Sequence, residues 1–268
     1  MSRRIVKLPA FAGVAVSSRA TLLLPVGARK YHRIIIQYKA AADNQATIEG
    51  ALTTMRILVN GRVQREATVA QINVLRAYRG RAFQTGFVFV DFSEPAARTL
   101  QGEELNGWGT NNLSTLTLEL DISGAAIAPA LVAWAEIEDS TEGLGGILKW
   151  RKNTYIVAGA GVLAIRDLPR DPREAYSRFH AFTVQATDVQ LKADNDVIIE
   201  TISRTALAAH YANRPQQTVM QANVLSLDIT ARTQLTDFLP MLRTDGRIVQ
   251  DMALEITLGA AANFDLLS

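Results

Sequence analysis

Apolar and polar residues alternate along this chain in short runs, and only a few stretches change to a helical period. Residues 116–122 read LTLELDI, with Leu116, Leu118, Leu120 and Ile122 on one side and Thr117, Glu119 and Asp121 on the other. A period of two over such residues predicts a strand with one face in a core and the other in water. The run MALEITL at 252–258 repeats the pattern with Leu254, Ile256 and Leu258, and FVFVD (87–91) and VLSLD (224–228) add two more strands. Asn60-Gly61, set between the apolar runs of Met55–Glu66, predicts a two-residue hairpin turn. Val69, Ile72, Leu75 and Tyr78 then recur in three-residue steps, which predicts a helix that Gly80 can end.

The same grammar occurs twice. With Asp91 aligned on Asp228, Ser93 falls on Thr230, each placed to cap a short helix, and Pro95 suits the first turn of the earlier one. Glu119 falls on Glu255, the hairpin Met55–Glu66 on Val189–Glu200 with its turn at Asp194-Asn195, and Pro25 on Pro169. A second helix is expected where Ile199, Ile202, Ala206 and His210 share a face, with Asn213 and Pro215 as its stop. An ordered series of matches points to a duplication, with drifting offsets because loops absorb insertions. The chain is therefore expected to be all-β, two β-sandwich or barrel domains in tandem with short helical insertions. The boundary is expected in EIEDSTEGLGG (136–146), giving domains 1–142 and 143–268.

Composition narrows the function classes. At 268 residues, 48% hydrophobic and 20% charged, the chain has ample core material for two domains. A formal net charge of +2 gives no strong field for nucleic acid, so direct nucleic-acid recognition is not expected. With no cysteine there is no thiolate chemistry and no cysteine metal site. Its apolar runs stay below the ~20 residues that span a bilayer, and Lys7 and Pro9 interrupt the only stretch resembling a signal peptide.

Candidate chemistry is sparse. His32, His180 and His210 form no metal-ligand spacing, although His32 and His180 read as related strand positions. IVAGAGVLAI (156–165) imitates a dinucleotide fingerprint through Gly159, Gly161 and Ala164, but Asp167-Leu168-Pro169 leaves no room for the helix that would face a pyrophosphate. Glu136, Glu138, Asp139 and Glu142 read as a solvated acidic linker. Neither they nor Asp194 and Asp196 have the loop pattern of a Ca²⁺ site, so structural Ca²⁺ is conceivable without being indicated by a motif. No cofactor is expected, and metal ligands stay unassigned. No serine-hydrolase elbow occurs, and the chain is not expected to be an enzyme.

Several stretches carry a family resemblance: LPVGARKYHRIIIQY, ILVNGRV, LTLELDISGAAIAPALVA, LAIRDLPRDPREAYSRFHAFTVQA and KADNDVIIE. Across nearly its whole length the chain resembles the major capsid proteins of corticovirus-type phages, bacteriophages with a membrane beneath the protein shell. The resemblance implies a double jelly roll, a homotrimer acting as a pseudo-hexagonal tile of an icosahedral capsid, and partner proteins such as one at the vertices. It implies a virion location after assembly in the host cytoplasm. On that view Arg3, Arg4 and Lys7 could meet the anionic membrane under the shell, or simply form a solvated end. Trp108, in NGWGTNN, is expected on an exposed loop, where it either anchors that loop or inserts into a neighbouring subunit. The alternative function is a carbohydrate-binding, lectin-like double β-sandwich, for which that loop is the sole good candidate.

Overall fold

Alternation becomes strand almost everywhere it was read. The computed structural model describes residues 3–39, 44–93, 106–194, 196–213, 218–230 and 238–268. It divides into two compact units, Met1–Arg151 and Lys152–Ser268.

Unit 1 holds β1 (Arg4–Lys7), β2 (Arg19–Leu24), β3 (Gly27–Lys39), α1 (Gln45–Ala51), β4 (Leu52–Val59), β5 (Arg62–Thr68), α2 (Val69–Tyr78), β6 (Phe87–Asp91), β7 (Trp108–Thr110), β8 (Leu116–Ile122) and β9 (Ala130–Glu138). One sheet has the order β1-β9-β3-β6, with β7 also on β3; the other runs β2-β8-β4-β5. Every ladder is antiparallel. Leu116, Leu118, Leu120 and Ile122 are all buried, as are Ile34, Ile36, Val88 and Val90 from the other sheet. Asn60 and Gly61 both take positive φ, 49° and 76°, the type I′ conformation whose twist matches the strands it joins. Thr68 and Gln71 close a capping box on α2, whose Val69, Ile72, Leu75 and Tyr78 are buried.

Unit 2 holds β10 (Lys152–Val157), β11 (Gly161–Ile165), β12 (Ala175–Tyr176), β13 (Arg178–Ala181), β14 (Ala186–Ala193), β15 (Asp196–Ser203), α3 (Arg204–Ala212), β16 (Leu225–Asp228), β17 (Leu239–Pro240), β18 (Met252–Leu258) and β19 (Ala262–Leu267). Its sheets run β10-β19-β13-β16 and β11-β18-β14-β15, with a small β12-β17 ribbon. Each position in these two orders has its counterpart in unit 1. Eight strands in the same sequence, paired in the same way, occur twice.

Two expectations change. Ile199 and Ile202 belong to β15 rather than to a helix, because the strand continues to Ser203, which caps α3 by accepting from the Ala206 N–H. Leu207 and Tyr211 form the buried face of α3 instead. The division between units lies at 151/152 rather than 142/143, because residues 142–150 are tied to unit 1. The helices expected after Ser93 and Thr230 lie outside the described residues.

Candidate functional site

Three devices occur in both units at matching places. In the first, Arg33 faces Asp91 across β3 and β6, and Arg178 faces Asp228 across β13 and β16. The ion-pair distances are 2.5 Å and 3.2 Å, and the Asp91 and Asp228 side chains are 3% and 1% exposed. In the second, Tyr31 Oη donates to the Pro25 carbonyl (2.6 Å) and Tyr176 Oη to the Pro169 carbonyl (2.7 Å), tying each strand to the corner before it. In the third, Asn60 Oδ1 accepts from the N–H groups of Ser114 and Thr115, and Asp194 Oδ1 accepts from those of Gln250 and Asp251. Each hairpin tip thereby holds the entry to β8 or β18. Asp194 takes a positive φ of 53°, as Asn60 does.

The third device has a pH consequence in unit 2 alone. The N–H groups of Asp251 and Gln250, with Arg243 adding its charge, hold the Asp194 carboxyl below its ordinary range. A depressed folded-state pKa contributes stability above the unfolded value of ~3.9, and that contribution is lost as pH falls through the folded value. Asp194→Asn retains the accepting oxygen, as Asn60 demonstrates, without the titration. Its melting temperature should fall less steeply than the parent's below about pH 4. Superimposable acid limbs in thermal melts from pH 7 to pH 3 would refute this.

The segment after β9 is fastened to unit 1. Lys30 Nζ lies 2.9 Å from Glu142, the Asn111 N–H donates to the Glu142 carbonyl, and the Leu144 N–H donates to Asn112 Oδ1. A Cβ on Gly109 would stand 2.5 Å from the Gly143 carbonyl oxygen, so that crossing requires glycine. Trp150 then bridges Arg65 in parallel fashion along the free edge of β5, exchanging backbone bonds with Gln64 and Glu66. Arg65 is 1% exposed. Its Nε donates to the Leu148 carbonyl and its Nη1 to the Asp91 carbonyl, both at 2.7 Å. Its guanidinium carbon lies 5.2, 5.0 and 4.7 Å from the ring centroids of Phe92, Trp108 and Trp150.

These contacts relocate the residues singled out from sequence. Trp108 is a fully buried strand residue beside Phe92, not a loop aromatic, so it offers no platform for a sugar or a neighbour. Glu136 and Glu138 lie in β9 and not in a linker. Arg3 faces Glu136 at 3.8 Å and Arg4 pairs bidentately with Asp139, while Lys7 is exposed, so carboxylates offset much of this basic end. His32 and His180 are not equivalent. The Arg–Asp register aligns His32 with Ser177, and His180 with Ile35. His180 Nδ1 lies 2.8 Å from Ser226 Oγ in a buried site, and His32 Nε2 lies 3.5 Å from Glu138. Gly159 and Gly161 lie at the turn from β10 to β11, where no helix begins. Among the described residues no group of three or more His, Asp or Glu could hold a metal ion, and no helix is long and apolar enough to cross a membrane.

Exposed apolar side chains lie on edge strands of both units: Ile5 (66%), Leu23 (61%) and Val63 (47%) on β1, β2 and β5 of unit 1, and four more in unit 2. Ile156 (81% exposed), Val162 (64%), Val197 (44%) and Ile198 (40%) lie on β10, β11 and β15, all edge strands of their sheets.

Comparison with known proteins accounts for this architecture. Residues 5–138 match the family described as viral coat protein P2 N-terminal domain, and residues 147–268 match the viral coat protein P2 C-terminal domain. The chain belongs to the viral coat protein P2 family. Among solved structures it is similar to the major capsid protein P2 from Bacteriophage PM2, with a TM-score of 0.87 at 17% identity over 99% of this chain and 96% of that one. It is also similar to a chain of Sulfolobus Turreted Icosahedral Virus, with a TM-score of 0.72 at 11% identity over 100% and 90%. The PBCV-1 virus capsid gives 0.64 at 8% over 100% and 93%. At these identities the likeness fixes the fold, a double jelly roll. No curated protein sequence matches. The repeated Arg–Asp, Tyr–Pro and hairpin devices are thus the framework of each jelly roll in a major capsid protein, whose place is the virion.

Proposed function

We propose that this coat protein is a non-catalytic structural subunit that closes into a homotrimer and tiles an icosahedral shell over an internal membrane, assembling in the host cytoplasm. The observation that carries this reading is the same eight-strand order written twice in one chain. Three duplicated subunits supply six similar wedges, so a hexagonal outline arises from threefold symmetry. A head-to-tail contact repeated three times closes without an unused copy. Such a tile cannot fill a fivefold position, which calls for a different protein at the vertices. The exposed apolar side chains on edge strands of both units support the same reading, because monomeric proteins rarely leave large apolar patches in water. Nothing in the residues calls on a cofactor. Light scattering on the purified chain at micromolar concentration should give about three times 29.3 kDa, with or without EDTA. A monomer under those conditions would overturn the trimer.

A further inference from the structure

Two Asn-Gly pairs occur in the sequence, and unit 1 places them in opposite surroundings. Asn106 and Gly107, on the approach to β7, are both buried, Asn106 to 9% exposure. Asn60 and Gly61, at the β4–β5 tip, are both exposed, and a Cβ built on Gly61 would meet nothing within 4 Å. That space leaves the Gly61 peptide room to turn toward the Asn60 side chain, and glycine has no side chain of its own to block the approach. The Asn60 amide is also polarised. Its Oδ1 accepts from the N–H of Ser114 at 2.9 Å and from that of Thr115 at 3.0 Å. Two backbone donors converging on one carbonyl oxygen are the arrangement that stabilises the oxyanion of an addition step.

We propose that Asn60 is a site of spontaneous deamidation in the folded protein, converted to aspartate and isoaspartate while the buried Asn106 is spared. Solvent base removes the Gly61 amide proton, and the Gly61 nitrogen attacks Asn60 Cγ. The new N–C bond places negative charge on Oδ1, where the Ser114 and Thr115 N–H groups hold it. The Cγ–Nδ2 bond then breaks, and the nitrogen takes a proton from water and leaves as ammonia. One water opens the resulting imide: attack at Cγ gives aspartate, and attack at the main-chain carbonyl gives isoaspartate. The net change is one water consumed and one ammonia released. Unit 2 already contains the first product at the matching tip. Asp194, with φ 53°, accepts on Oδ1 from the N–H groups of Gln250 and Asp251 at 2.7 and 3.0 Å. Aspartate at position 60 therefore keeps the tip and adds a charge, whereas isoaspartate lengthens the main chain of a two-residue turn and breaks its type I′ geometry.

Peptide mapping by mass spectrometry tests this on the full folded chain, incubated at neutral and at mildly alkaline pH. Amide-to-acid conversion at Asn60 should run at least tenfold faster than at Asn106 and should accelerate as pH rises. Equal rates, or conversion first at Asn106, would overturn the proposal. The same chain unfolded in guanidinium supplies the reference, since both pairs should then convert at similar rates. A preference for Asn60 that persists in the unfolded chain would overturn the structural origin of the selectivity. Ser114→Pro removes one of the two donors and should slow conversion at Asn60. A rate that is unchanged or faster in this variant would overturn activation by the Ser114 and Thr115 N–H groups.

Discussion

Replacing Arg65 by alanine should destabilise unit 1 by about 3–5 kcal/mol and detach the segment 147–151. Truncation leaves a large cavity among Phe92, Trp108 and Trp150, and leaves the carbonyls of Leu148 and Asp91 without their donor. Each lost bond to a charged donor costs roughly 1.5–3 kcal/mol, and a desolvated cation–π contact adds about 2. These terms overlap, so the total lies below their sum. For a chain of this size the change should lower the melting temperature of unit 1 by roughly 10 °C. Calorimetry is the suitable measurement, because two units need not melt as one transition. Arg65→Met separates the causes: it refills much of the volume without donors, so it should recover part of the loss. A melting temperature for Arg65→Ala within 2 °C of the parent's, or one that Arg65→Met leaves equally low, would show that the cage is not what closes this edge.

Much of the architecture was legible because it rests on alternation, which survives without tertiary information. The strands around Leu118 and Ile256, the turn at Asn60-Gly61 and the helix from Val69 all stand where the pattern put them. The alignment of Asp91 with Asp228 was also sound, yet the sequence offered no ground for choosing Arg33 and Arg178 as their partners. That choice depends on strand register, and a shift of one residue would have substituted His32. The same ambiguity produced the false pairing of His32 with His180. Helix α1 escaped notice because it is only two turns long, although Asn44 three residues before Thr47 is a capping signal. Trp108 and the 136–146 region misled for a different reason. Glycine and acidic residues suggest open loop, but here glycine permits the close crossing of Gly109 and Gly143, and the acids have Lys30, Arg3 and Arg4 as partners. Burial of that kind is a property of long-range neighbours, which local composition does not report.

Breaking the Arg–Asp pair should be costlier in unit 2 than in unit 1. Asp228 is 1% exposed and Arg178 10%, so Asp228→Ala takes the facing carboxylate from a cation with little access to water. The same substitution removes the carboxylate that accepts from both the N–H and the hydroxyl of Thr230, at 3.0 and 2.6 Å. Breaking a buried pair by removing one partner costs about 3–5 kcal/mol, and the Thr230 bonds place Asp228→Ala at the upper end of that range. In unit 1, Asp91 is equally buried, but Arg33 is 22% exposed and keeps Glu136 within 3.6 Å. After Asp91→Ala the Arg33 guanidinium retains both water and a carboxylate. Arg76, however, 11% exposed with its Nε 3.8 Å from Asp91, loses that partner. The cost should therefore be about 3 kcal/mol, at the lower end of the same range. Denaturant unfolding of the two variants measures the order directly, and Arg178→Met combined with Asp228→Ala isolates the pair. The double variant should be more stable than Asp228→Ala alone, because a buried guanidinium deprived of this carboxylate is less favourable than an apolar side chain in its place. A double variant less stable than Asp228→Ala would show that Thr230, and not the guanidinium of Arg178, accounts for the loss.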